Sequence, residues 1–411
     1  MGLIIPRCET EKIKKINTWV ILYGRRKTGK TYLIRNFVNP DAYYFITRSR
    51  DIFSYNKEIE KLSYNVFFDR IKRELTAEMT IAIDEFQRLP QEFLDFLHFM
   101  KNTSKAKLIL VGSSLGFALK ILSKGSPLLG LIYPIQLKLI TPQDITSSLC
   151  GIFDDKTCIL LSMFIRDPVV LEDLQEDDTL ESFLERIIPK LKFTIRSLIG
   201  EIFTEEEREL TARYEAVIKA VAAGNRKPSN VASFVSGMLN ANLKSQDIKK
   251  YLKVLTEMGI LRKIRMYKRK ANYYYIDSPA VDLYYYLDLK TGFSELDVPL
   301  RTLLKRAFEK IPFYYEMFVL DILAQLYDAE VMKSHYPEID GLLVREDKVI
   351  AAVEVKMGKI SKNELNKFID KTEDITKQRI VVAENKIDNE TIVCMTPSEL
   401  ISKITAKRKL Y

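Results

Sequence analysis

Two glycines, four cations and two threonines crowd the segment LYGRRKTGKT, residues 22–31, directly behind the apolar run WVIL. Gly24, then Arg25, Arg26, Lys27 and Thr28, then Gly29, Lys30 and Thr31 fit the spacing of a phosphate-binding loop. At the end of a buried strand such glycines permit a tight loop whose N–H groups and following helix start face a phosphate. Lys30 is then expected to reach the β- and γ-phosphates of ATP, and the Thr31 hydroxyl to ligate Mg²⁺. The segment TIAIDEFQRLP, residues 80–90, supplies what such a site still needs. Its apolar strand would project Asp84 to the Mg²⁺ shell and place Glu85 as the base that works on water. A third run, LILVGSS, ends in Ser113 and Ser114; Ser113 suits a γ-phosphate sensor, although serine at a strand end also caps helices.

A second set of chemistry-bearing residues lies near the C-terminus, in HYPEIDGLLVREDKVIAAVEVKMG, residues 335–358. Two strands joined at REDK would bring Asp340 opposite Glu354, and period-2 alternation puts Glu354 and Lys356 on one face. Two close carboxylates and a lysine can hold a divalent cation and orient water for attack on a phosphodiester. This D-x13-E-x-K arrangement resembles the PD-(D/E)XK nuclease superfamily. The resemblance implies a metal site for Mg²⁺ or Mn²⁺, with Glu316 on the preceding helix as a further ligand, and a helix (KNELNKFID) and strand (RIVVAE) to follow. A mixed-charge surface hairpin is the alternative reading.

Between them, PSNVASFVS and SQDIKKYLKVLTEMGIL read as two amphipathic helices, the second capped by Ser245. LRKIRMYKRKANYYYID then reads as a β-ribbon with Lys268, Arg269 and Lys270 at its tip. Helix-turn-helix plus wing is a DNA-binding form, with Lys249, Lys250, Lys253 and the tip cations as phosphate contacts and tyrosines 273–275 packing or stacking nearby. Such modules also dock proteins.

The elements that must position these residues follow from texture. The chain has 411 residues, enough for two to four domains. Its 47% hydrophobic and 29% charged residues are ordinary for a globular protein. No apolar run nears the roughly 18 residues of a membrane span, and MGLIIPRCET fits no secretory signal, so a cytoplasmic protein without a membrane partner is expected. Scattered Cys8, Cys150, Cys158 and Cys394 and only two histidines argue against a disulfide framework or a zinc site. The net charge of +9 leans toward a polyanionic partner. Apolar runs WVILYG, YYFI, TIAIDE, KLILVGSS and IQLKLI, alternating with helical stretches, predict a parallel α/β unit over residues 1–150. An acid-rich helical lid or connector is expected over 151–209, a winged helix over 210–290, and an α/β unit over 291–411. Without Gly/Ser-rich linkers, these units should pack on one another.

YGRRKTGKT together with IDEFQ resembles the archaeal ATPase family of AAA+/STAND-type P-loop proteins. The resemblance implies an α/β P-loop ATPase domain, a helical lid, a winged helix and a restriction-endonuclease-like C-terminal domain. It extends the nucleotide site to Arg25, Arg26 and Pro168. Two departures stand out. Leu131 occupies the place of an arginine usual in the family, so an arginine finger across subunits lacks its residue. Ile165 and Arg166 replace two glycines before Pro168, with Arg166 a candidate sensor. Two function classes follow: a nucleotide-controlled, metal-dependent nuclease acting on duplex or branched DNA, or an ATP-switched DNA-binding or STAND-type signalling protein whose nuclease-like domain is inactive.

Overall fold

The computed structural model describes residues 3–55 and 58–408. Seven strands form the N-terminal sheet: Trp19–Tyr23 (β1), Ala42–Ile46 (β2), Ile52–Tyr55 (β3), Ile59–Leu62 (β4), Thr80–Asp84 (β5), Lys107–Gly112 (β6) and Ile132–Gln136 (β7). They lie in the order β4-β3-β2-β5-β6-β1-β7. The run from β2 to β7 is parallel, and the β3–β4 hairpin adds an antiparallel edge. The central strands are continuous apolar runs because both faces are covered. Trp19 and Ile21 of β1, with Ile81 and Ile83 of β5, enter one core; Val20, Leu22 and Ala82 enter the other. Parallel strands end on one edge of the sheet, so the loop after β1, Asp84 and Ser113 meet there.

The strand expected at IQLKLI sits earlier in the chain. β7 stops at Gln136, after which Leu137 still donates its N–H to the Tyr23 carbonyl at 2.7 Å and Ile140 donates to the Arg166 carbonyl at 2.8 Å. Pro134 lies within β7, which an edge strand tolerates because one row of its backbone groups has no partner.

Helices Pro142–Leu149, Asp155–Ile165 and Leu180–Glu205 follow. Next come helices Ala212–Ala222, Pro228–Leu239 and Ser245–Glu257 and the antiparallel ribbon Leu261–Arg265 (β8) with Asn272–Ile276 (β9). Ser245 is the first helical residue rather than its cap; the Asp247 carboxylate accepts the Lys244 N–H at 2.9 Å instead. Helices Pro279–Thr291, Leu300–Phe308 and Ile311–Leu326 lead into a five-stranded sheet: Glu330–His335 (β10), Glu338–Arg345 (β11), Lys348–Val355 (β12), Arg379–Val382 (β13) and Ile392–Met395 (β14). β10–β11–β12 is antiparallel and β12–β13–β14 parallel. Helix Lys362–Thr372 lies between β12 and β13 in sequence, and Pro397–Arg408 closes the described chain.

One hydrophobic core runs through most of these later elements. Phe164, Phe183 and Phe203 share it with Val217, Leu252, Phe318 and Ile404. The ribbon also joins the C-terminal sheet: Tyr267 donates its N–H to the Lys333 carbonyl at 2.9 Å, and Arg265 pairs with Glu330 and Asp347. No helix among the described residues is long and apolar enough to cross a membrane.

Candidate nucleotide site and C-terminal acidic site

The loop after β1 has the shape its glycines allow. A Cβ at Gly24 would lie 2.1 Å from the Leu137 carbonyl oxygen, and Gly29 holds φ at +88° where the following helix begins. Lys27 also adopts positive φ. Buried Thr28 donates its hydroxyl to the Arg25 carbonyl at 2.9 Å, and Arg7 donates to the Thr28 carbonyl at 3.1 Å. The Lys30 ammonium donates to the carbonyls of Gly24 and Arg25, both at 2.8 Å, so the lysine lies along the inside of its own loop. Burial pushes its pKa down to about 8, against the pull of Glu85 and Asp84.

At the ends of the neighbouring strands the acidic pair divides its work. Asp84 Oδ2 accepts the Thr31 hydroxyl at 2.6 Å and the Tyr43 hydroxyl at 2.8 Å, while Oδ1 accepts the Glu85 N–H at 2.9 Å. Thr31 and Asp84 form an all-oxygen donor pair suited to Mg²⁺, a hard cation. Glu85 sits in the left-handed region at φ +60°. Its Oε2 accepts from Gln87 at 2.7 Å and Ser113 at 2.9 Å, and pairs with Arg88 at 3.1 Å. Burial raises its pKa against the lowering effect of Arg88, which moves the carboxylate toward proton uptake.

These groups open onto a cavity of about 750 Å³ lined by Arg26, Lys27, Gly29, Lys30, Thr31, Tyr32, Arg35, Arg48, Glu85, Arg88 and Ser113. A second cavity of about 760 Å³ shares Lys27, Gly29 and Tyr32 with it and is walled by Leu3, Ile5, Leu33, Phe37, Ile140, Pro168, Val169 and Leu171. The phosphate loop therefore lies between a cationic compartment and one that joins these apolar walls to Arg7, Glu172 and Asp173; the apolar walls suit a nucleotide's base. Arg25 faces neither: it forms a buried ion pair with Asp167 at 2.8 Å and fixes the Asp167–Pro168 corner. Arg166, the candidate sensor, bonds Asp321 of helix Ile311–Leu326 at 2.8 Å and lines neither of these cavities. Arg48, Arg88 and Glu205 were missed in the sequence. Arg88 follows Glu85 at helical spacing and was legible; Arg48 and Glu205 reach the site only through the fold.

In the C-terminal sheet the hairpin turn falls at Glu346 and Asp347, both at positive φ, and Gly341 pairs with Val353. That register sets Asp340 beside Glu354. Asp340 Oδ2 accepts the Val355 N–H at 2.8 Å, and Lys356 pairs with Glu354 at 3.0 Å. Glu316 reaches the same region from its helix but is paired with buried Lys333, whose ammonium also donates to the Asp340 carbonyl. Burial, reinforced by Asp340, raises the pKa of Glu354; it also raises that of Glu316, against Lys333. Among the described residues, the group of three acidic, Cys or His side chains whose ligand atoms all lie within 4.8 Å is a different one, Cys8, Glu9 and Asp144. There Arg7 pairs with Glu9, Arg408 with Asp144, and burial with Glu9 pushes the Cys8 thiol up to about 12, a poor setting for a cation.

Lys249, Lys250 and Lys253 are exposed on helix Ser245–Glu257, and Lys268, Arg269 and Lys270 are exposed at the ribbon tip. Tyr275 is buried and stacked on Phe313 with Arg226 over both rings, so it is a core residue; Tyr273 and Tyr274 are half-buried.

Residues 17–131 match the family model described as an AAA domain. No curated protein matches the chain. Among solved structures, the Aeropyrum pernix ORC2 protein in ADPNP-ADP complexes overlaps 75% of this chain and 95% of its own at 13% identity and a TM-score of 0.38. The Thermotoga maritima RuvB Holliday junction branch migration motor overlaps 72% and 96% at 13% identity and a TM-score of 0.33. A signal transduction ATPase with numerous domains from Pyrococcus horikoshii, bearing a tetratricopeptide repeat sensor, overlaps 80% of this chain and 52% of its own at 15% identity and a TM-score of 0.30. Residues 17–131, AAA-like in sequence, carry the phosphate loop and six of the seven strands of the N-terminal sheet, β7 lying just beyond them.

Proposed function

We propose that the chain is an ATP-binding and ATP-hydrolysing switch that acts on DNA. The observation that carries this is the convergence of Lys30, Thr31 and Glu85 on one cationic cavity, with Asp84 bonded to Thr31 just behind its wall. The loop N–H groups and Lys30 would bind phosphate, Thr31 and Asp84 would hold Mg²⁺, and Glu85 would take the proton of the attacking water. Mg²⁺ supplies charge neutralisation on the phosphates. Gln87 and Ser113 orient Glu85 by hydrogen bonds to the same oxygen. Leu3, Ile5 and the Pro168–Leu171 turn would shield the base. Calorimetry with ATP·Mg²⁺ tests the reading: Lys30→Ala should lose most of the parent's affinity, and equal affinity in both would refute it.

The three helices and ribbon of residues 212–276 support a winged-helix assignment, and their exposed cations support duplex or branched DNA as the partner. The C-terminal sheet supports two readings. Asp340, Glu354 and Lys356 share one hairpin end, as a metal-dependent nuclease with Mg²⁺ or Mn²⁺ requires. The pairing of Glu316 with Lys333 and of Glu354 with Lys356 favours the other, an inactive nuclease-like domain within an ATP-switched regulator. Incubation with plasmid and branched DNA, Mg²⁺ or Mn²⁺, with and without ATP, decides between them. Cleavage that Asp340→Ala abolishes establishes the nuclease; no cleavage and no metal binding leaves the regulator.

A further inference from the structure

The long helix Leu180–Glu205 ends behind the wall of the cationic compartment, where the Glu205 carboxylate holds residues that line the cavity without lining it itself. Glu205 Oε1 accepts from Arg88 at 2.9 Å and Arg26 at 3.1 Å and lies 3.5 Å from Arg48; Oε2 lies 3.1 Å from the Ser113 hydroxyl. Its side chain is 8% exposed. All four partners line the nucleotide cavity, on its Glu85 side. The next residue, Glu206, accepts the backbone N–H groups of Leu115 at 2.6 Å and Gly116 at 2.9 Å, so two successive carboxylates clamp the helix end to the strand-end face of the sheet.

Three guanidinium groups and a hydroxyl converging beside a phosphate loop form a site for a multiply charged oxyanion. Here a carboxylate fills it. The fit is incomplete, because the single Ser113 hydrogen faces both Glu205 and Glu85 Oε2. Resting on the ATP-site reading above, we propose that Glu205 is an internal stand-in for the terminal phosphate and sets the preference between ATP and ADP. ADP leaves Glu205 with its cations. ATP brings a γ-phosphate that competes for Arg26, Arg48 and Arg88, expels Glu205, and loosens the helix end that leads into residues 212–276. The coupling is reciprocal: a seated Glu205 weakens ATP, and ATP unseats Glu205.

The test is calorimetry of the full chain with Mg²⁺ and either ADP or the non-hydrolysable β,γ-imido analogue of ATP. Glu205→Gln should bind the analogue about tenfold more tightly than the parent and ADP within about twofold. Glu201→Gln, which frees Arg26 and Lys27 but neither Arg48 nor Arg88, should shift the ratio by much less. Hydrogen exchange over residues 195–211 of the parent should quicken with the analogue and not with ADP. An unchanged or reduced analogue affinity in Glu205→Gln overturns the proposal, as does an equal rise in Glu201→Gln, which would signal bulk electrostatics. If the parent binds neither nucleotide, the ATP-site reading fails first and takes this inference with it.

Discussion

Lys30 is buried among backbone carbonyls with its pKa lowered to about 8, so the proposed nucleotide binding should depend on pH in a defined direction. A bound phosphate favours the ammonium, so the complex holds the proton to higher pH than the free chain does. ATP affinity should be flat below pH 8 and fall above it, by up to about tenfold per pH unit, with proton uptake on binding. Calorimetry at pH 7 and 9 in buffers of different ionisation enthalpy reads both, and no proton uptake at pH 9 would contradict it. The loop glycines should differ in cost. Gly24→Ala drives a Cβ against the Leu137 backbone and should lower nucleotide affinity at least about tenfold and stability by roughly 1–3 kcal/mol. Gly29→Ala meets open space and carries only the left-handed backbone penalty, about 1–2 kcal/mol. Thermal unfolding of the two variants checks the order. Lys30 and Thr31 stand out as candidates by the loop's spacing and Asp84 by the apolar strand it ends, whereas Arg48 and Glu205 carry no such mark, since only the sheet order and the long helix bring them beside the cavity.

Elements were legible where burial is symmetric. β1, β5 and β6 are apolar on both faces and stand out as runs, whereas the β3–β4 hairpin carries exposed Ile59, Glu60 and Lys61 and left no such trace. IQLKLI overlaps β7 only at Ile135 and Gln136, because Leu137 and Ile140 pack after the strand has ended, the first under the sheet and the second in the later core. The elements beyond the sheet are held by charge as well as by that core. Asp321 receives both Arg166 and Arg262, and although burial works against it, the two guanidiniums keep its pKa below the usual carboxylate range. Asp321→Ala leaves Arg166 without its counter-charge and Arg262 with only Asp277 at 3.6 Å, and should cost roughly 3–5 kcal/mol. Arg306→Ala, at an exposed pair with Glu309, should cost under about 1 kcal/mol. Denaturant unfolding with an intact slope distinguishes them, and equal midpoints would contradict the assignment.

At the scale of the whole molecule, the shared core and the ribbon's attachment at Lys333 tie the cationic tip to the acidic hairpin and its sheet. Replacing Lys268, Arg269 and Lys270 by alanine should weaken duplex binding and flatten its logarithmic salt dependence by up to about three, near one per lost phosphate contact. An unchanged slope would put the DNA surface elsewhere or favour protein docking. Single-turnover phosphate release from ATP·Mg²⁺ tests most directly the hydrolysis proposed at the loop after β1. With Leu131 where the resembling family has arginine, the parent should release phosphate slowly but measurably. Glu85→Gln should bind ATP as the parent does and release phosphate at least about a hundredfold more slowly. Equal release by the parent and Glu85→Gln would contradict the account.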